Sequence, residues 1–523
     1  MGNGATSKRE GRLMTEQPQA VNVGPDDPRY ADLVGRGSRR FAGTPDYVRL
    51  VCSTEQVVDA VQDAVRARLR VAARSGGHCL ENFVADPAVR VVIDTSLMTA
   101  VYYDSEMGAF AIEPGVRLGE AYRRLFLGWG VTIPAGVSPN VGIGGHVLGG
   151  GFGYLCRQHG LAADHLYGVE VVVVDENGTA KSVTATCEPS DPNRDLWWAH
   201  TGGGGGNFGI VTRYWFRSPD ADGADPARLL PEAPTSVLTF KAEWNWRDID
   251  RATFGRLVRN YGDWTERNSD ASSRFSELYS TLVLNRRQLG TLELTGVTTA
   301  GAGADQLVGE HLDAVNEGVG VPCARTMKRK SWLEFALNPA PGLAGPDLEN
   351  AVFKLKDALL RKRFTDKQIE VAYHHLTRAD HDVNVNLGMA TYGGKVNTVA
   401  TDATASAQRD SIFTASVTAG WQEPRDEAVT MMWVRRFYRD LFADTGGVPV
   451  PGAVASGASI NHPDVDLADP AWNTSDCRWY TMYYHSNYPR LQEIKLRWDP
   501  RDVFHHALSI RPTSSIAGGE IYG

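Results

Sequence analysis

Three glycine-rich stretches constrain this chain more than any other feature: RSGGH at 74–78, VGIGGHVLGGGFG at 141–153 and HTGGGGGNFGIVT at 200–212. Glycine in folded structure costs about 0.5–1 kcal/mol relative to alanine. A chain that keeps runs of it therefore needs bare backbone somewhere. Turns and bulges would account for one such tract. Three together point to a ligand that packs directly on the backbone, where N–H groups meet anionic or carbonyl oxygens. None is a P-loop, since no G-K-[ST] follows, and none sits in a strand–GxGxxG–helix unit with a downstream acid.

The surrounding pattern is α+β. Ser53-Thr54-Glu55-Gln56 is a capping-box signature, and VVDAVQDAVRAR behind it has helical spacing. VRVVID (89–94) and AFAIEP (109–114) read as strands, and residues 118–130 as a helix. VEVVVVDENG (169–178) is a buried strand entering an Asn-Gly turn and returning along KSVTAT. Residues 218–236 shift to Pro, Asp and Ala without periodicity, a boundary signal. Beyond them, strand-like runs (SVLTFKAEW, STLVLN) alternate with helical patterns at 251–267, 304–318 and 428–445. This predicts a second, α/β domain, an antiparallel sheet covered by helices.

With 523 residues, the chain exceeds what one core fills. Its 54 basic and 62 acidic residues give a net charge of −8, which argues against nucleic-acid or anionic-membrane partners. No apolar run approaches the roughly 20 residues of a membrane span. The start, MGNGATSKREGRLM, has basic residues with no apolar segment behind them, so it reads as an extension rather than a secretory signal. The expected setting is cytoplasmic, the expected state monomer or homodimer. Six cysteines lack any C-x-x-C pair, so neither a disulfide framework nor a zinc set is expected. The His374-His375 pair has no carboxylate at metal spacing, and no metal is expected.

The tracts RSGGH, GGHVLGGGFG and TGGGGGNFGIVT, with YYHSNYPRLQEIKLRWDPRDVF near the end, occur in the order of a known family. From about residue 30 onward the chain resembles the FAD-linked oxidases of the berberine-bridge-enzyme type, within the vanillyl-alcohol-oxidase superfamily. It is most similar to the antibiotic-tailoring branch that oxidises sugars on anthracyclines and glycopeptides. The resemblance implies a PCMH-type FAD-binding domain over 44–219, after a lead-in at 1–43. It further implies a substrate domain over 220–455 and a C-terminal segment, 456–523, returning to the FAD domain.

By the same resemblance, His78 forms a covalent bond to the 8α-methyl of FAD. Arg74, Ser75, Gly76, Gly77 and Cys79 bring the backbone to the pyrophosphate. Gly142, Gly144, Gly145, His146, Gly150 and Gly153 in the second tract, and Gly209 and Val211 in the third, complete the cradle. Tyr484 and Asn487 match positions that close over the flavin.

Two positions depart from the family. Relatives carry a second, cysteinyl tether where this chain has Ser138, whose hydroxyl does not add to the flavin as a thiolate does. A flavin held by His78 alone is expected, with an introduced Cys→Ser change as the alternative. Relatives also carry a tyrosine base in an I-N-Y-P-D stretch; here it reads Ile460-Asn461-His462-Pro463-Asp464. An imidazole near pKa 6.5 accepts protons without the tuning a phenol near 10 requires. His462 either replaces the tyrosine or marks a lost step, and Tyr392 in ATYGGKVN is a second candidate base. The implied reaction takes hydride from an alcohol or hemiacetal of a glycosylated small molecule to FAD, with O2 as acceptor and H2O2 as product. A redox-neutral cyclase or isomerase on the same scaffold, or a non-catalytic antibiotic-binding protein, stays open as an alternative.

Overall fold

The capping box at Ser53 does start a helix. Ser53 Oγ accepts a hydrogen bond from the Gln56 amide at 3.3 Å, and Thr54–Ala67 follows. Val57, Ala60, Val61, Ala64 and Val65 fall on one face and are buried. Each such valine is worth about 1.5–3 kcal/mol when fully removed from water. In this computed structural model, which describes residues 19–339, 343, 352–379 and 383–513, that helix touches two small sheets. The N-terminal extension through Met14 lies outside the described residues.

In the first sheet the strand order is Val21–Val23, Tyr47–Leu50, Val91–Asp94, Val71–Arg74, with Val91–Asp94 parallel to both its neighbours. Val71–Arg74 therefore ends by delivering the RSGGH tract. The second sheet runs Val101–Asp104, Ala109–Ile112, Ile210–Phe216, Leu166–Val174, Ala180–Thr186. Its last two strands are the expected hairpin, closed by Asp175 N–H to Thr179 O at 3.0 Å. Ile210–Phe216 emerges directly from the third glycine tract.

The intervening region forms an eight-stranded sheet, every pairing antiparallel. Its order is Ala324–Ser331, Ser236–Asn245, Thr291–Thr299, Tyr279–Asn285, Asn384–Thr391, Phe413–Trp421, Val352–Leu360, Ala455–Gly457. Alternation gives it two distinct faces. Leu282, Leu284, Val385, Leu387 and Val417 enter the core, while Thr281, Val283, Asn386, Gly388 and Ser416 line a cavity. Helices Arg251–Arg267, Ala304–Asn316, Asp366–Thr377 and Glu427–Leu441 are amphipathic, each burying one face. The strand Ala324–Ser331 (ARTMKRKS) carries no apolar alternation and is mostly exposed; charge on an edge strand discourages pairing with other chains.

The chain end returns to the first region through Trp479–Tyr484 and Tyr488–Trp498. Buried Lys495 anchors it, donating to Asp499 at 2.6 Å and to the Asn207 carbonyl of the third tract at 2.7 Å. All six cysteines are free thiols. Among the described residues no helix is long and apolar enough to cross a membrane.

Candidate functional site

The three glycine tracts and the polar face of the large sheet enclose one cavity of about 890 Å³. The first two tracts touch backbone to backbone: a Cβ on Gly76 would lie 2.4 Å from the Gly142 nitrogen, and one on Gly142 2.4 Å from the Gly76 nitrogen. Only glycine permits that approach. Gly145 is different. It lines the cavity, and a Cβ there would meet nothing within 4 Å. Bare backbone therefore faces open space, as the packing of a flat cofactor on the tract requires.

Of the residues singled out from sequence, all but Gly153, Tyr484 and Asn487 line this cavity. Gly153 instead makes room for the Ala135 carbonyl. Tyr484 donates its hydroxyl to the Gly203 carbonyl at 3.0 Å, and Asn487 donates to the carbonyls of Thr401 and Thr404 at 2.7 and 3.2 Å. These two brace the walls from behind. Arg74 borders the cavity, but its guanidinium is engaged by Asp94 at 2.8 Å, so the tract presents backbone rather than charge.

Ser138 and His78 border the same space. Cys156 does not. Its thiol is fully buried, accepts from the Gly153 amide at 3.1 Å and donates to the Pro134 carbonyl at 3.0 Å, and burial raises its pKa.

At the other side of the cavity, His462 sits on the loop leaving Ala455–Gly457. Its Nδ1 lies 3.4 Å from Oδ2 of Asp357. The aspartate is buried on Val352–Leu360 and also accepts from Ser416 Oγ at 3.1 Å. The approach does not meet hydrogen-bond geometry, so the carboxylate faces Nδ1 as a nearby charge and leaves Nε2 clear of it. Asn461 fixes the loop: its Oδ1 accepts from the Gly151 amide at 3.1 Å and its Nδ2 donates to the His146 carbonyl at 3.0 Å. His146 Nε2 accepts from the Gly136 amide at 2.8 Å, and burial, aided by nearby His462, lowers its pKa to about 4. His146 is thus neutral at physiological pH. Tyr392 is buried against Phe152 at 4.8 Å, and burial pushes its phenol well up, so it is a proton donor at neutral pH rather than a base.

Asp357 and Asn461 had no signature in the sequence. Asp357 lies in VFKLKDALL, where neither spacing nor neighbouring residues mark it, and Asn461 was visible only as a neighbour of His462.

Residues 45–184 match the family described as FAD binding domain, and residues 458–511 the family described as berberine and berberine like. The chain is 53% identical over 494 residues to the aclacinomycin-N/aclacinomycin-A oxidase of Streptomyces galilaeus, covering 94% of this chain and 90% of that one. It superposes on the crystal structure of aclacinomycin oxidoreductase with a TM-score of 0.92 at 52% identity, covering 95% of this chain and all of the other. A glycopeptide hexose oxidase complexed with teicoplanin gives 0.90 at 48% identity, covering 95% and 99%.

Proposed function

The chain belongs to the FAD-linked oxidoreductases of the berberine-bridge-like family, and on that premise we propose that it oxidises a sugar hydroxyl of a glycosylated natural product. One observation carries the reading: a histidine backed by a buried carboxylate opens into the cavity that the three glycine tracts line. The relatives named above act on aclacinomycin and on hexoses of glycopeptides, which supports a sugar as the reacting part.

Residues 44–219 and 456–523 are taken as the FAD-binding part and 220–455 as the substrate part; the separate sheets support the boundary near 220, while Val21–Val23 already pairs with the first sheet and Ala455–Gly457 still pairs with the large one. FAD, when bound, would supply the hydride acceptor, with O2 as the final oxidant. The protein's own groups manage position and protons. His462 Nε2 takes the proton of the substrate hydroxyl, and Asp357 offsets the positive charge that results. Tyr392, held protonated by burial, donates to the Gln408 carbonyl at 3.5 Å and helps shape the same space. His78 would hold the FAD as the covalent tether, the single one because Ser138 stands where a cysteine would, and backbone of the three glycine tracts would supply the remaining contacts.

Anaerobic addition of candidate glycosides to the holoenzyme tests the proposal. Bleaching of the flavin, followed by H2O2 formation when air is admitted, is the expected result. Product without bleaching would mean a redox-neutral enzyme, and binding without either would mean a sequestering protein.

A further inference from the structure

The strand Val352–Leu360 bears charge on both faces. Asp357 faces the cavity, whereas Lys354 and Lys356 alternate to the opposite side and are 2% exposed. Lys354 Nζ pairs with the Glu81 carboxylate and with Asp464 Oδ1 at 2.8 Å. Lys356 Nζ pairs with Asp464 Oδ2 at 2.5 Å and Asp466 Oδ2 at 2.8 Å, and Arg435 holds Asp466 through both Nε and Nη2 at 2.9 and 2.8 Å. Three cations meet three carboxylates, so the cluster buries no net charge.

Apolar side chains of similar volume would stabilise such a site as well or better. What ions add is a fixed geometry, and these join separate elements. Glu81 follows His78 by three residues and Asp464 follows His462 by two. His462 and Asp464 also straddle the strand, the first reaching Asp357 on the cavity face and the second the lysines behind it. Asp464 is further held by its amide, which donates to Tyr483 Oη at 2.9 Å.

We propose that Lys354 is a positioning residue: it locks the His78 loop and the His462 loop onto one strand, so that tether and base keep a fixed separation. The functional half of this statement rests on the roles given above to His78 and His462; the coupling of the two loops does not.

Lys354→Met in the holoenzyme tests it, with hydrogen exchange read by mass spectrometry beside steady-state kinetics. Exchange should rise on the order of 10-fold in residues 78–83 and 459–466 together, with the rest unchanged. kcat should fall about 10–100-fold with KM within about twofold, as expected of misplaced groups, and Lys354→Arg should recover part of it. Should Lys354→Met fail to fold, Glu81→Gln removes one charge at constant volume and should loosen 78–83 alone. Uniform loosening of the whole chain, or movement of neither loop, would overturn the coupling. Coupled loosening with unchanged kcat would keep the coupling and overturn the roles of His78 and His462.

Discussion

His462 Nδ1 stands 3.4 Å from the Asp357 carboxylate, which is itself pinned by Ser416 and fully enclosed. The contact sets the carboxylate beside Nδ1 rather than Nε2. Asp357→Asn should slow anaerobic flavin reduction about 10–100-fold at neutral pH by loosening that orientation. Stopped-flow reduction reads the effect. A rate equal to that of the parent would mean that the aspartate does not act on His462.

The flavin linkage is open to direct mass measurement. Protein precipitated in acid should stay yellow, and a tryptic peptide containing His78 should carry the FAD mass. His78→Ala should release most of the flavin on precipitation. Ser138→Cys, at a position bordering the same cavity, should add a second link and alter the flavin spectrum. A free, titratable thiol with an unchanged spectrum would show that the residue is out of reach.

Gly145 separates fold from cofactor. A Cβ there meets no protein atom within 4 Å, and glycine within a helix is the costlier residue by about 1 kcal/mol. Gly145→Leu should therefore fold as stably as the parent while losing flavin. Full flavin loading in that variant would remove the second tract from the cofactor surface.

Three buried histidines set an acid limit on stability. Burial lowers the pKa of His200 to about 4 and those of His311 and His506 to about 3, all from 6.5. The unfolded chain protonates them first, so folding weakens as pH falls below 6.5 and continues to weaken down to the folded values. At about 1.4 kcal/mol per pH unit, each costs about 2 kcal/mol between pH 6.5 and 5. Together that is a large share of a typical 5–15 kcal/mol stability. Thermal unfolding should shift down by many degrees between pH 7 and 5. A flat profile would contradict the neutral, buried state of these rings.

Sequence and structure agree where local rules apply. The helix Arg251–Arg267 was readable to the residue, because Asp250 caps it and its apolar spacing is regular. The glycine tracts announced bare backbone, and His78 and His462, singled out through motif order, both border the cavity. Asp357, Lys354 and Lys356 were not readable. Their partners lie on loops far along the chain, and K-L-K-D written on one strand looks the same whether solvent or a buried counter-ion faces it. Tyr484 was readable as a motif member, yet its hydroxyl lies behind the third tract rather than in the cavity.

The most direct measurement is the rate of flavin reduction on mixing a glycoside that bleaches the wild-type enzyme with His462→Ala under anaerobic conditions. The account predicts a rate about 10²–10⁴ lower, the usual worth of a positioned general base, with flavin content unchanged and part of the rate restored by His462→Tyr. Reduction of His462→Ala at the wild-type rate would contradict it and show that the hydroxyl proton goes to another group.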